Sequence, residues 1–265
     1  MTEKESILKK SLGGGLSGAA AMSFQVTSLM WLRTTMNYQY RHGGGIVPTI
    51  KTLYGQGGFL RFYRGYLPAI VIGPLSRFGD LAAYTYSKEN FKEYDSATRT
   101  LIGSAMSISW RLAIMPVDVI KTTLQVNGKD GMNVLKQNIN HNGIRAMYSG
   151  ATASMSSSLV GYYPWFFTYD YLKRNAPEGN EIVRNGAIGF ISSLNSDICS
   201  NSLRIIKTNK QSQINANYQS IIKHIFKNEG ATGLLFRGLQ TKILINGIQG
   251  MIFSIMFNFI NNLKL

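Results

Sequence analysis

Asp118 and Lys121 stand three residues apart, just behind Pro116. At that spacing an acid and a base share one face of a helix and can form an ion pair. A proline at the start of the pair bends or breaks the helix that carries it. The acid–base step recurs in Tyr169-Asp170-Tyr171-Leu172-Lys173. Such pairs close and open contacts; they do not make covalent bonds. The sequence shows no Ser/His/Asp set in a catalytic context and no glycine-rich loop ahead of a phosphate-binding lysine. His42, His141 and His224 lack metal-ligand spacing, and the single cysteine, Cys199, excludes an intrachain disulfide. These observations predict a protein that is not an enzyme, with no catalytic residue, no metal and no cofactor.

The elements that position these groups come in three copies. A basic residue leaves an apolar helix, a glycine follows 22 to 24 residues later, and an aromatic–x–Gly step comes after it. The copies are Arg33, Gly57 and Tyr63-Arg64-Gly65; Lys121, Gly143 and Tyr148-Ser149-Gly150; and Lys207, Gly230 and Phe236-Arg237-Gly238. Matching positions lie 85 to 88 residues apart. A fixed long period means one structural unit used repeatedly. The sequence therefore divides into repeats at 1–95, 96–178 and 179–265. Each reads as long helix, short helix, long helix: 11–38, 46–56 and 66–92; 97–126, 131–142 and 151–175; 181–212, 217–229 and 239–263. The long segments exceed the roughly 20 residues that cross a bilayer. None is apolar all round, and mean hydropathy is only −0.03. Helices facing lipid on one side and a wet interior on the other resolve that tension.

Charge supports the same layout. The net charge is +15, yet only 15% of residues are charged, against about 25% in a typical soluble domain. Residues 33–64, 121–150 and 207–238 together hold an excess of +12, whereas 88–99 and 173–184 are nearly neutral. This alternation predicts six spans, with the basic loops on one side and both termini on the other. The basic loops hold no recognised nucleic-acid motif, which argues against nucleic acid as a partner. The first ten residues are mixed in charge and lack a long apolar run, so any targeting address is expected to be internal.

Over essentially its whole length the sequence resembles the mitochondrial carrier family. Pro116-Val117-Asp118-Val119-Ile120-Lys121 matches that family's Pro-x-acid-x-x-base motif, and Asn142-Gly143 and Tyr148-Ser149-Gly150 follow in register. Tyr169 to Lys173 matches its aromatic–acid–x–x–base motif. The resemblance implies an all-α membrane protein of the carrier fold: three pseudo-symmetric repeats, six transmembrane helices and three short matrix helices. It implies the inner mitochondrial membrane, with the termini on the intermembrane-space side. It also implies transport by alternating access between two salt-bridge rings, one closing the matrix side and one the cytoplasmic side.

Both rings are depleted here. Ser28-Leu29-Met30-Trp31-Leu32-Arg33 and Ser202-Leu203-Arg204-Ile205-Ile206-Lys207 have lost the proline and the acid. The expected matrix gate is thus Asp118 against Lys121, Arg33, Lys207 and Arg204. The expected cytoplasmic gate is Asp170, Lys173 and Lys88, beside Thr85 and Asn258 where acids would stand. Counting seven to eight residues past each aromatic–x–Gly glycine places solute contacts at Ile72, Ser157, Ser158 and Ile245. None is charged, so cavity charge falls to Arg77 and Asp80, or to Arg111 and Asp197. Helix starts bind anions, and in the family they hold cardiolipin phosphates. The expected lipid positions are Gly57, Arg64, Gly65, Gly143, Gly150, Gly230, Arg237 and Gly238. Two functions follow: a solute carrier with an atypical gate, or a transport-inactive structural subunit of a larger inner-membrane assembly such as a respiratory complex.

Overall fold

The computed structural model describes residues 3–177 and 179–263. It runs α1 (Glu3–His42), α2 (Ile46–Gly57), α3 (Tyr66–Asn90), α4 (Ser96–Ala113), α5 (Met115–Asn127), α6 (Gly131–Asn142), α7 (Ala151–Asn175), α8 (Glu181–Ser212), α9 (Tyr218–Phe236) and α10 (Leu239–Leu263). The first repeat is α1–α3, the second α4–α7 and the third α8–α10. The expected helix over 97–126 is two helices. Its chain turns at Ile114 (φ −89°, ψ 0°), two residues before Pro116, whose ring excludes a straight path. α1 and α8 contain no proline and run unbroken for 40 and 32 residues. Position matters as well, since α3 and α7 continue through Pro74 and Pro164.

The repeats close on one another in a cycle, and the closure solves a specific problem. The last four carbonyls of a helix have no partner inside it. Arg61, from the first repeat, donates to the Gln125 and Val126 carbonyls of α5, both at 2.8 Å. Asn138, from the second, donates to the Gln213 carbonyl just past α8 at 2.9 Å. Arg237, from the third, donates to the Arg41 carbonyl of α1 at 3.2 Å. Thr123 to the Gln211 carbonyl (2.9 Å) and Asn209 to the Tyr40 carbonyl (2.8 Å) lie just inside this belt. Each repeat therefore finishes the next one's first long helix.

Glycines set the closest approaches. Gly65, Gly150 and Gly238 open α3, α7 and α10 with φ of +81°, +78° and +65°. A Cβ at Gly65 would lie 3.0 Å from the Lys121 carbonyl oxygen, and one at Gly150 3.2 Å from that of Lys207. A Cβ at Gly238 would lie 3.2 Å from the Met36 carbonyl oxygen. A second set turns out of the short helices: Gly58, Gly143 and Gly230, with φ of +61°, +59° and +67°. Gly58 fills that role in the first repeat; the expected Gly57 is the last residue of α2. The apolar core is correspondingly split into small clusters at helix junctions, such as Val26–Met30–Ala69 and Met115–Val119–Leu135.

Gly150 separates a backbone penalty from a packing penalty. Its left-handed backbone (φ +78°, ψ +11°) costs an alanine about 1–2 kcal/mol. The added Cβ, 3.2 Å from the Lys207 carbonyl oxygen, must also push that oxygen away. Thermal unfolding in detergent should therefore show a loss for Gly150→Ala above about 2 kcal/mol; a loss no larger than the backbone penalty would remove the close-packing account.

Candidate functional site

The expected matrix cluster forms around a single carboxylate. Asp118 is buried at the start of α5. Its Oδ1 accepts from Lys121 Nζ at 2.5 Å and its Oδ2 from Lys207 Nζ at 2.6 Å. Gln211 Nε2 adds a third donor at 3.2 Å. One acid therefore holds two lysines and bridges α5 to α8, two of the four bases expected around it.

The other two expected members go elsewhere. Arg204 turns along α8 to Asp197, at 2.7 Å. Asp197 also accepts from Asn246 Nδ2 on α10 at 2.5 Å. Arg33 makes no ion pair among the described residues, and its Nε is buried without a partner.

The register of α1 explains why. Gly65 packs on Lys121 and Gln125, Gly150 on Lys207 and Gln211, and Gly238 on Met36 and Tyr40. Gln125 donates to Met30 Sδ (3.5 Å) as Gln211 does to Met115 Sδ (4.0 Å). The glycine contacts set α1 at a spacing of 85 from α5, and the glutamine–methionine contacts agree with it. Arg33 then lies level with Asp118 and Arg204, and Met36 level with Lys121 and Lys207. The matching used in the sequence, Arg33 with Lys121 and Met30 with Asp118, is three residues out of step.

A polar layer escaped the sequence reading. Gln39, Gln125 and Gln211 recur every 86 residues and are almost fully buried. Gln39 accepts from Thr241 on α10 (2.5 Å), Gln125 accepts from Asn37 on α1 (2.5 Å), and Gln211 reaches Asp118. Their constant spacing was the available signal. Buried amides persist only where hydrogen bonds replace water.

At the opposite end the geometry is open. Asp170 is exposed and makes no ion pair with a described residue. Lys173 lies over the Tyr169 ring, 5.7 Å from its centre. The side chains of Lys88 and Asn258 lie outside the described residues. Of the expected solute contacts, Ile72 and Ile245 are buried, and Ile245 packs with Leu29 and Leu32 of α1. Ser157 donates to the Ser154 carbonyl at 2.8 Å. Ser158 accepts from Arg111 Nη1 at 3.4 Å, and Arg111 grips Asp80 at 2.8 Å. The polar contact thus comes from Arg111, Asp80 and Ser158 together; the Arg77 side chain is outside the described residues.

The expected lipid positions divide. Arg237 is buried, doubly bonded to Glu229 (2.6 and 2.8 Å) and capping α1, so it is occupied. Arg64 is exposed. Gly150 borders a cavity of about 270 Å³ between the second and third repeats, lined also by Arg145, Tyr148, Ser149, Lys210 and Tyr218. Among the described residues no His, Cys, Asp or Glu cluster could hold a metal.

The family model described as mitochondrial carrier protein matches three times, at residues 3–95, 92–180 and 178–265. The chain belongs to the mitochondrial carrier family. Members of this family are transporters, not enzymes. Mitochondrial substrate carrier family protein C of Dictyostelium discoideum is 28% identical over 214 residues, covering 74% of this chain and 44% of that protein. A probable mitochondrial 2-oxodicarboxylate carrier of Schizosaccharomyces pombe is 27% identical over 242 residues, covering 81% and 79%. Mitochondrial carrier protein CoAc2 of Zea mays is 24% identical over 240 residues, covering 78% and 70%. The chain spans about half the length of several relatives it matches.

Asp118→Asn should leave the half-buried Lys121 and Lys207 without a counter-charge, a loss below the roughly 3–5 kcal/mol of a fully buried pair. Lys121→Met should be milder, because Asp118 keeps Lys207. Thermal unfolding of both variants checks the order; an Asp118→Asn protein as stable as the wild type would sink the shared-carboxylate account.

Proposed function

We propose that this carrier moves a small solute across the mitochondrial inner membrane by alternating access, using a matrix gate built on one acid. The carrying observation is the Asp118 carboxylate shared by Lys121 and Lys207. It ties α5 to α8 by contacts that can be broken and remade without covalent change. Arg111, Asp80 and Ser158 supply a polar station on the inner side. The relatives' names differ, so the family supports a transport activity without naming the solute.

Among the described residues no helix is long and apolar enough to cross a membrane. The outer surface supports a membrane setting in another way. Leu67, Val71, Leu75 and Phe78 form an exposed stripe on α3, and Leu159, Tyr163, Phe166, Phe167 and Tyr171 form one on α7. Large contiguous apolar exposure marks a partner surface. Lipid suits these stripes because the buried polar groups face inward, which also lowers the average hydropathy of each helix. In this reading the basic segments face the matrix and both termini face the intermembrane space.

Reconstituted protein should take up at least one solute from a broad panel in a saturable way. In a Cys199→Ser background, cysteines at Lys129 and Glu93 should then be labelled from opposite sides. Absence of all uptake, with co-migration in a large native assembly, would favour a structural subunit; same-side labelling would end the six-span layout.

We further propose cardiolipin as the occupant of the cavity beside Gly150. Its phosphates fit the free N–H groups opening α7 and the cations Arg145 and Lys210. Added cardiolipin should raise the melting temperature of the wild type, and Arg145→Gln should reduce that gain at least by half. An unchanged gain would exclude this cavity.

A further inference from the structure

The interior charge is unbalanced, and the imbalance gathers on one wall. On the α3–α5–α8 side, Arg111 has Asp80, and Lys121 and Lys207 share Asp118. On the α1–α8–α10 side, Asp197 is already engaged by Arg204 and Asn246. Arg33 and Lys242 join this wall with no acid of their own. Neither side chain makes a hydrogen bond or ion pair with a described residue. Lys242 is within electrostatic reach of Asp197, Arg204 and Arg33, and Tyr40 within reach of Arg204 and Asp197. Arg33 Nε is buried without a partner, and the Tyr40 hydroxyl faces only the Arg204 guanidinium, itself a donor, so its O–H has no acceptor among the described residues. The wall therefore carries two positive charges in excess and donors in search of acceptors.

Uncompensated buried charge is costly, and two cations together repel as well. A solute bearing two negative charges removes both penalties at once. The donor set specifies the chemistry further. A guanidinium offers a planar fork for oxyanions, an ammonium offers a point charge, and a phenol adds one O–H. A cation would find only Asp197, which is taken. We infer that Arg33 and Lys242, with Arg204 and Tyr40 beside them, form the binding site for a small dianion of the dicarboxylate or phosphate type. This inference rests on the transport reading and names its solute class.

The test uses the purified full-length protein in detergent. Succinate and inorganic phosphate are the two dianion probes; acetate, alanine and putrescine are the controls. At least one dianion should raise the melting temperature, and the controls should not. Whichever of the two acts tells a dicarboxylate site from a phosphate site. Arg33→Gln and Lys242→Gln should each weaken the apparent affinity at least tenfold, whereas the exposed Lys129→Gln should not. The wild type supplies a readout that needs no variant. The active dianion should slow acylation of the Lys242 amine by an acetyl N-hydroxysuccinimide ester, read at that residue by mass spectrometry. Dianion binding without uptake into proteoliposomes would leave this site standing and remove the transport reading. Uptake of alanine or putrescine without any dianion shift would do the reverse. Unaltered dianion affinity in both glutamine variants, or unslowed acylation of Lys242, would overturn the site.

Discussion

Two half-buried lysines at the end of the helical bundle depend on one carboxylate. Asp118 meets Lys121 on its own helix and Lys207 on the next, and Gln211 occupies a further lone pair. Burying ionic groups is costly unless each charge has a partner and the spare hydrogen-bonding capacity is filled. That requirement fixes the separation and rotation of α5 and α8 together. Gly150 lets α7 approach the same stretch of α8, so the carboxylate also sets where the third repeat meets the second.

At this end the remaining edges of the threefold body are held by hydrogen bonds; Arg61 and Arg237 donate there to backbone carbonyls. Asn37 bonds Gln125 across the α1–α5 edge, and Asn209 bonds the Tyr40 carbonyl across the α8–α1 edge. Arg237 completes α1 while Glu229 neutralises it. Neutral hydrogen bonds contribute about 0.5–1.5 kcal/mol each. They resist separation less than a dehydrated ion cluster does. The repeats share a backbone plan but not a distribution of force.

Sequence periodicity made the repeats, the short helices and the Asp118–Lys121 pair legible, because these depend on local spacing. The break before Pro116 followed from one ring. Relations between helices were less visible. Arg33 was matched to Lys121 because both are basic and leave an apolar segment. Its true level is set by where Gly238 lands on Met36 and Tyr40, a contact across some 200 residues. Arg204 looked like a ring member until its partner two turns back, Asp197, proved closer. Gly57 was chosen over Gly58 although only the left-handed backbone at Gly58 distinguishes them. The glutamine layer was periodic, but burial of an amide is not written in its neighbours.

The uneven distribution of force bears on how a carrier of this kind could cycle. A solute shifts a conformational equilibrium only by the difference in its affinity for the two states. A ring of three buried ion pairs sets a large energy to be offset before the matrix end opens. In the proposed cycle, opening would separate one ion cluster and a set of hydrogen bonds, so a smaller difference in solute affinity would suffice. The same departures place arginines, Arg33 and Arg204, at the level where Asp118 stands in the second repeat. Losing acids from a gate and gaining cations beside the central space are then one event seen from two sides. A lighter gate leaves positive charge uncompensated, and an anionic solute is the ligand whose arrival changes that balance most.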